Sequence, residues 1–291
     1  MWQFFVLEGF FLKELKEHQM AENLTRIKNG EAANEREGSP VCLVVPVRSL
    51  QEIEPSELQK IVDTVRPKQV IFSVGISHQE SGNERKFAHD DYLQNRRPVD
   101  QANEHMGEKF SEIAGTEKTI VYAPIGKASQ INWAVKNCRQ EFVWVVHADT
   151  WLKSADPSWF QTPDADTVYY GRLSFHGKVG ALMFLNALGV ELRCRTWGMP
   201  FGDQGFLFSK ALWQKLGGFD KRVTLGESHD FAWRAKRQGF PVKKGPYHLS
   251  TSDEKYAKRG WLAMTARHLW ASIVQKRKFK ARRICNLNSI T

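Results

Sequence analysis

Three segments of this 291-residue chain set carboxylates where a fold could put them to chemical use. The first, His147-Ala148-Asp149-Thr150, directly follows the apolar run Phe142 to Val146 (FVWVV). A carboxylate delivered by a buried strand to a sheet edge can bind a divalent cation that neutralises a diphosphate; a strand-end Asp is also a common helix cap. The second, Trp197 to Gln204 (WGMPFGDQ), combines two glycines, a proline and an acid-amide pair ahead of another apolar run, GFLFSKALWQKLGGF. That composition suits close approach to a ligand, and equally a tight turn. The third, Gly226 to Gly239 (GESHDFAWRAKRQG), sets Glu227 and Asp230 three residues apart on one face of a helix N-terminus. The helix dipole stabilises anions there for purely structural reasons, while a carboxylate beside an acceptor hydroxyl can act as a general base.

The elements that must carry these segments read as alternating strand and helix from residue 41 to about 245. Val41 to Val47 (VCLVVPV) is a near-continuous β-branched run, Pro55 to Val65 has helical spacing, and Val70 to Val74 (VIFSV) is a second apolar strand. Thr119 to Tyr122, a helix over Ser129 to Asn137, and Phe142 to Val146 repeat the unit. An α/β fold follows, with a mostly parallel sheet, helices on both faces, and ligands at the carboxyl ends of the strands. Residues 78–116 are polar, charge-mixed and aperiodic, as expected of an insertion over one edge of the sheet. Residues 1–40 pass from an apolar stretch (MWQFFVLEGFFLKEL) into a polar one, suggesting an accessory helix and linker before a 41–260 domain. The closing segment 261–291 is a basic amphipathic helix and tail, with Leu262, Ala266, Leu269, Trp270 and Ile273 as its apolar positions. Two roles stay open for it: a helix packed on the domain with a solvated tail, or a helix lying on an anionic membrane surface.

Forty-two basic against 32 acidic residues give a net charge of +10, which favours anionic partners such as nucleotide phosphates or acidic lipid headgroups. The chain is 42% hydrophobic and 12% aromatic, so it can bury a substantial core, and the disordered and disulfide-stapled classes are excluded. Cys42, Cys138, Cys194 and Cys285 have no paired or metal-type spacing and read as reduced thiols. No stretch approaches the roughly 18 uninterrupted apolar residues of a membrane-spanning helix. The start lacks the flanks of a signal peptide. A cytoplasmic protein is expected, with peripheral contact at the cytoplasmic membrane as the variant.

Taken in order, Leu43 to Val47 (LVVPV), Gly126 to Asn132 (GKASQIN), Val146 to Leu152 (VHADTWL), Trp197 to Gln204, Leu216 to Phe219 (LGGF) and Gly226 to Gly239 resemble the family 2 glycosyltransferases. The likeness covers roughly residues 41–265 and is closest to a subgroup with HADT in place of the DXD motif and a GDQ loop. It implies a GT-A fold, a nucleotide-sugar donor, a Mg²⁺ or Mn²⁺ ion, and transfer with inversion to the hydroxyl of a glycan or lipid acceptor, for instance in envelope glycan or glycolipid synthesis. His147 and Asp149 fall on the outer positions of the DXD motif as candidate metal ligands. The resemblance implies a donor site formed by Pro46, Val47, Lys127, Asn132 and Asp149, and an acceptor loop containing Asp203 and Gln204. Arg193 and Arg195 just before that loop could steer an anionic acceptor or the donor phosphates, or simply form surface ion pairs.

Three departures mark this chain. Glu227 matches the first residue of the family's ED pair but the second is Ser228, which leaves Glu227 and Asp230 as the two candidates for the catalytic base. Leu50 stands where an acid often follows the first strand, and Val74 where an aspartate often ends the second. Either the 78–116 stretch supplies substitutes such as Glu80 or Asp90, or the donor differs, or the scaffold has decayed into a membrane- or anion-binding protein. Nucleotidyl transfer is disfavoured, because the end of the first strand lacks a Gly-rich basic signature. Sequence-specific nucleic-acid binding is not expected either, since no base-reading motif is present.

Overall fold

The structure is a computed structural model that describes residues 38–76, 113, 115–223 and 225–287, with side chains described as far as Arg277. The expected N-terminal helix and linker, and nearly all of the 78–116 stretch with Glu80 and Asp90, lie outside the described residues.

Eight strands form one mixed, mostly parallel sheet: β1 (Ser39–Val47), β2 (Pro67–Ile76), β3 (Glu117–Pro124), β4 (Phe142–Val145), β5 (Thr150–Ala155), β6 (Val168–His176), β7 (Phe206–Ser209) and β8 (Val242–Ser252). Their spatial order is β3-β2-β1-β4-β7-β6-β8-β5. β1 pairs in parallel with both β2 and β4, and β7 enters antiparallel between β4 and β6. The helices are α1 (Pro55–Val65), α2 (Lys127–Asn137), α3 (Leu182–Trp197), α4 (Lys210–Lys215), α5 (Glu227–Arg237), α6 (Glu254–Arg259) and α7 (Trp261–Leu287). Pro55 opens α1, where the missing N–H costs nothing. The expected strands and helices between Val41 and Val146 all form, each within a few residues of its reading.

Both faces of the sheet are covered, so the central strands are apolar throughout rather than alternating. Along β1, Cys42 and Val44 belong to one buried layer, with Ile131, Val135 and Phe231, while Val41, Leu43 and Val45 belong to the other, with Ile61, Val62 and Trp144. Cys42, Cys138 and Cys194 are buried free thiols, as their spacing suggested.

The order of strand addition switches at β1, with β2 and β3 on one side and β4 on the other, and the crevice at the carboxyl ends of β1 and β4 is the ligand position of such sheets. A buried side chain stitches this edge. Gln130 of α2 donates from Nε2 to Val47 O (2.6 Å) and Ser73 O (2.8 Å), while Ser73 Oγ donates to Gln130 O (2.8 Å). The ends of β1 and β2 are thereby held to the first turn of α2.

Beside β4 the chain approaches too closely for any side chain. Gly205 sits at φ +62°, and a Cβ there would lie 2.6 Å from Leu249 Cδ1 and 3.0 Å from Trp144 Nε1. Tyr247 Oη fixes the position by donating to Gly205 O at 2.7 Å. Gly205→Ala combines backbone strain with overpacking, and a loss of about 2–4 kcal/mol of unfolding free energy is expected in urea titration.

Candidate active site

The site begins where β4 ends. Val146 N–H donates to Val44 O (2.9 Å), which keeps the chain beside β1 past the last strand residue. A tight turn follows, closed by Thr150 N–H donating to His147 O (3.1 Å). His147 is folded inward and is 8% exposed, whereas Asp149 at the tip of the turn faces solvent.

The GDQ segment meets this turn. Gly202–Gln204 form a single 3-10 turn whose shape is set by the fully buried Gln204. Its Nε2 donates to Gly171 O (2.9 Å), and its Oε1 accepts from Phe201 N–H (2.8 Å) and Cys194 Sγ (3.3 Å). With its amide occupied, Gln204 holds the loop in place rather than presenting a group to a ligand. The turn then places Asp203 Oδ1 2.6 Å from His147 Nδ1. Gly202 makes this approach possible, since a Cβ there would lie 2.9 Å from Ser228 Oγ and 3.1 Å from His147 Cε1. Segments that the sequence separates by 56 residues, together with the first turn of α5, therefore converge on one spot.

Burial pushes the Asp203 carboxyl up, but the hydrogen bond and charge of His147, with Lys127 and Lys255, outweigh it and hold the group well below the usual carboxylate range. Asp203 is therefore an anion at neutral pH. Its side chain keeps 37% of its surface in solvent, so the pairing is worth less to stability than a fully buried one. Lys127, exposed at the start of α2, supplies a cationic point charge next to a helix N-terminus, the combination that suits a phosphate.

Other candidates serve the frame. Pro46 and Val47 are buried at the end of β1, where Val47 contributes only its carbonyl to Gln130. Asn132 is a buried clamp: Nδ2 donates to Phe219 O (2.8 Å), and Oδ1 accepts from Phe219 N–H (2.8 Å) and Trp213 Nε1 (3.1 Å). It pins the LGGF turn to α2 and has no free polar atom for a donor. Asp230, 1% exposed, pairs through Oδ2 with Arg234 Nε at 2.7 Å, and Arg234 also donates to Leu216 O and, at 2.6 Å, to Gly218 O. Asp230 thus orients the arginine that caps the same LGGF turn. Glu227 opens α5 and is 8% exposed. Leu50 and Val74 are core residues. Arg195 pairs with Glu191 (3.0 Å) on the surface of α3.

A second layer lies behind the GDQ turn: Arg193, expected to steer anions or to form a surface ion pair, is buried there, together with His229, to which sequence reasoning assigns no role. Arg193 lies 9% exposed with its Cζ 3.2 Å from the centre of the Phe201 ring, and Nη1 donates to Ser272 Oγ (3.2 Å). Burial pushes this guanidinium down to about 10, so it remains charged at neutral pH. His229, 4% exposed, places Nδ1 2.6 Å from Gln275 Oε1. Burial, reinforced by the charge of Arg193, pushes its imidazole down to about 4. The only hint in the sequence was the position of these residues beside the motifs; their partners lie on α7, far along the chain.

His229 has a measurable consequence. An ordinary unfolded His titrates near 6.5, so between about pH 6.5 and 4 the unfolded chain binds a proton that the folded chain refuses. Stability therefore falls as pH drops through that window, by on the order of 3 kcal/mol. His229→Gln should flatten this part of a pH series of urea midpoints.

The donor set for a cation is spare. Among the described residues no three His, Cys, Asp or Glu side chains converge. What is present is the exposed hard-oxygen ligand Asp149, beside His147, whose Nδ1 is already committed to Asp203. That set fits an ion such as Mg²⁺ or Mn²⁺ held by one carboxylate and completed by substrate phosphates and water, and does not fit an all-protein cage.

No family model matches the chain, and no curated protein matches it in sequence. Among solved structures, a mannosyltransferase from Pyrobaculum calidifontis in complex with GDP-Man and Mn²⁺ is similar at TM-score 0.50 and 20% identity, over 82% of this chain and 65% of that one. The chain therefore spans just under two thirds of that protein. Residues 1–349 of S. aureus TarS align at TM-score 0.41 and 15% identity, over 73% of this chain and 60% of that one. The first likeness is one of fold, and it agrees with the α/β architecture of the glycosyltransferase resemblance.

Proposed function

We propose that the chain is a glycosyltransferase that moves a sugar from a nucleotide-diphosphate donor to a hydroxyl acceptor. The observation that carries the reading is the meeting of the His147–Asp149 turn with the GDQ turn, through the 2.6 Å His147–Asp203 contact, at the carboxyl edge of β1 and β4. Both the placement and the residue types suit a diphosphate flanked by an acceptor site.

Asp149, with the ring of His147 behind it, is the group that would hold a divalent ion against the donor phosphates. When bound, the ion neutralises charge growing on the leaving diphosphate. Lys127 adds its charge to the same end of the substrate. Asp203 stays ionised and fixes the His147 ring from behind, so the edge of that ring and Ser228 Oγ border the space left by Gly202. Glu227, at the mouth of α5, takes the proton from the acceptor hydroxyl as that oxygen attacks the sugar carbon, in a single displacement that inverts its configuration. Asp230 takes no part, because its carboxylate is occupied by Arg234. Positioning and electrostatics provide most of the acceleration in such a scheme.

Thermal unfolding of the purified chain with a panel of nucleoside diphosphates and nucleotide sugars, with and without Mn²⁺, tests this. One nucleotide class at a hundredfold excess over its dissociation constant should add about 2.7 kcal/mol of stability, and only when metal is present. A panel without any metal-dependent shift would leave an anion-binding scaffold as the better account, with the buried Leu50 and Val74 as its structural motive.

A further inference from the structure

The amphipathic pattern of the C-terminal segment is present in α7 but turned inside out. Its packed side carries Met264 and Ser272, both buried, and Gln275, which reaches His229. Its apolar side faces solvent, with Leu262 74%, Leu269 57% and Trp270 67% exposed. Helix α3 repeats the arrangement. Met183, Val190 and Cys194 are buried on one side, while Phe184, Leu185, Leu188 and Leu192 are 52–68% exposed on the other. Their spacing of i, i+1, i+4 and i+8 confines these four side chains to a stripe about 100° wide. A helix that is apolar on both sides is normally covered on both.

The two stripes belong to one surface. Thr265 Oγ1 bonds Asn186 Oδ1 (3.2 Å), and Arg193 Nη1 bonds Ser272 Oγ, both across 79 residues of chain. Lys276 Nζ lies 4.3 Å above the Trp197 ring, one turn further along each helix. A constant offset means that α3 and α7 run side by side in the same direction. Because each buries its opposite side on the domain, both apolar stripes emerge on the same side.

The charge around this face has one sign. Glu191 is the only acid in α3, and it is held by Arg195 and by Lys244 (2.9 Å). Helix α7 contains no Asp or Glu in 27 residues, and Arg267, Lys276 and Arg277 are the Lys and Arg side chains described on it.

We propose that the α3/α7 face docks on an anionic lipid bilayer. The leucines, Phe184 and Trp270 enter the boundary between headgroups and acyl chains, while Arg195, Lys276 and Arg277 lie among the lipid phosphates. A second copy of the chain would instead bring +10 against +10 and set like-charged margins side by side. The proposal does not depend on the transfer reaction.

Flotation of the full chain with vesicles provides the test. The chain should bind vesicles of phosphatidylcholine mixed with phosphatidylglycerol, bind pure phosphatidylcholine more weakly, and lose affinity as salt shortens the Debye length below about 10 Å. The triple variant Leu185→Ser, Leu188→Ser, Leu192→Ser should bind the mixed vesicles at least about tenfold more weakly. Its melting temperature should match that of the parent, because these side chains are already exposed. Leu269→Ser with Trp270→Ser should weaken binding in the same direction. The proposal is overturned if the parent does not float with anionic vesicles, or if both variants float as well as the parent. It is likewise overturned if sedimentation shows a dimer that the triple variant dissolves while vesicle binding is absent.

Discussion

Asp149→Asn is expected to lower turnover by about 10²–10³-fold or more while leaving the fold intact. Asp149 is exposed at the tip of its turn, and among the described residues its side chain enters no hydrogen bond or ion pair, so unfolding should change by less than about 0.5 kcal/mol. The functional loss comes from charge. A carboxylate that anchors a divalent ion against a leaving diphosphate contributes several kcal/mol to transition-state stabilisation, and each 1.36 kcal/mol is a factor of ten in rate. The neutral amide keeps the shape and removes the charge. The metal-dependent thermal shift with the matching nucleotide should disappear together with turnover, while any weak metal-independent binding through Lys127 remains. If the variant kept both the shift and the rate, Asp149 would be only the corner of a turn, and the donor site would have to be sought elsewhere.

The fold was legible because its signals are local. The β-branched run Val41 to Val47 cannot bury itself except inside a covered sheet, and the spacing of Leu58, Ile61, Val62 and Val65 allows little but a helix packed on one face. The antiparallel entry of β7 and the far-edge pairing of β5 with β8 could not be read in this way. They depend on long-range pairing, and four-residue strands such as Phe206–Ser209 carry no directional pattern of their own.

The segments that meet at the candidate site stand out in the sequence, whereas the contacts of their individual side chains do not. Polar side chains inside a motif look alike in sequence whether they face a ligand or the backbone. Asn132 and Gln204 face the backbone, with their amides consumed in holding the LGGF and GDQ turns. His147 was read as a metal ligand or a shaper of the strand end, and it pairs with Asp203, a contact that depends on β4 and β7 lying side by side. A helix, α7, forms over the segment read as amphipathic, and of the two orientations left open for it, Leu262, Leu269 and Trp270 face solvent rather than the domain. Arg193 and His229 are buried polar groups that need partners, and Ser272 and Gln275 on the packed side supply them. That demand outweighs burial of the leucines, which stay exposed.

The two acids of α5 should separate cleanly on substitution. Asp230→Asn is expected to cost about 2–4 kcal/mol of stability, since it removes one charge of a buried pair and leaves Arg234 facing Leu216 O and Gly218 O without its counter-ion. The loss should appear as a lower urea midpoint, with the rate per folded molecule little changed. Glu227→Gln should do the opposite. As the proton acceptor, Glu227 accounts for about 10²–10⁴ in rate, so kcat should fall by that factor, while the urea midpoint moves less than in Asp230→Asn. Helix position alone would give the two residues similar roles, because both sit in the first turn, where the dipole favours anions. What distinguishes them is the partner: Asp230 has its guanidinium, and Glu227 is placed one residue before Ser228, at the point where α5 touches Gly202 and His147. A stable Asp230→Asn variant without turnover, beside an active Glu227→Gln variant, would reverse the assignment and require the Asp230–Arg234 pair to open during the reaction.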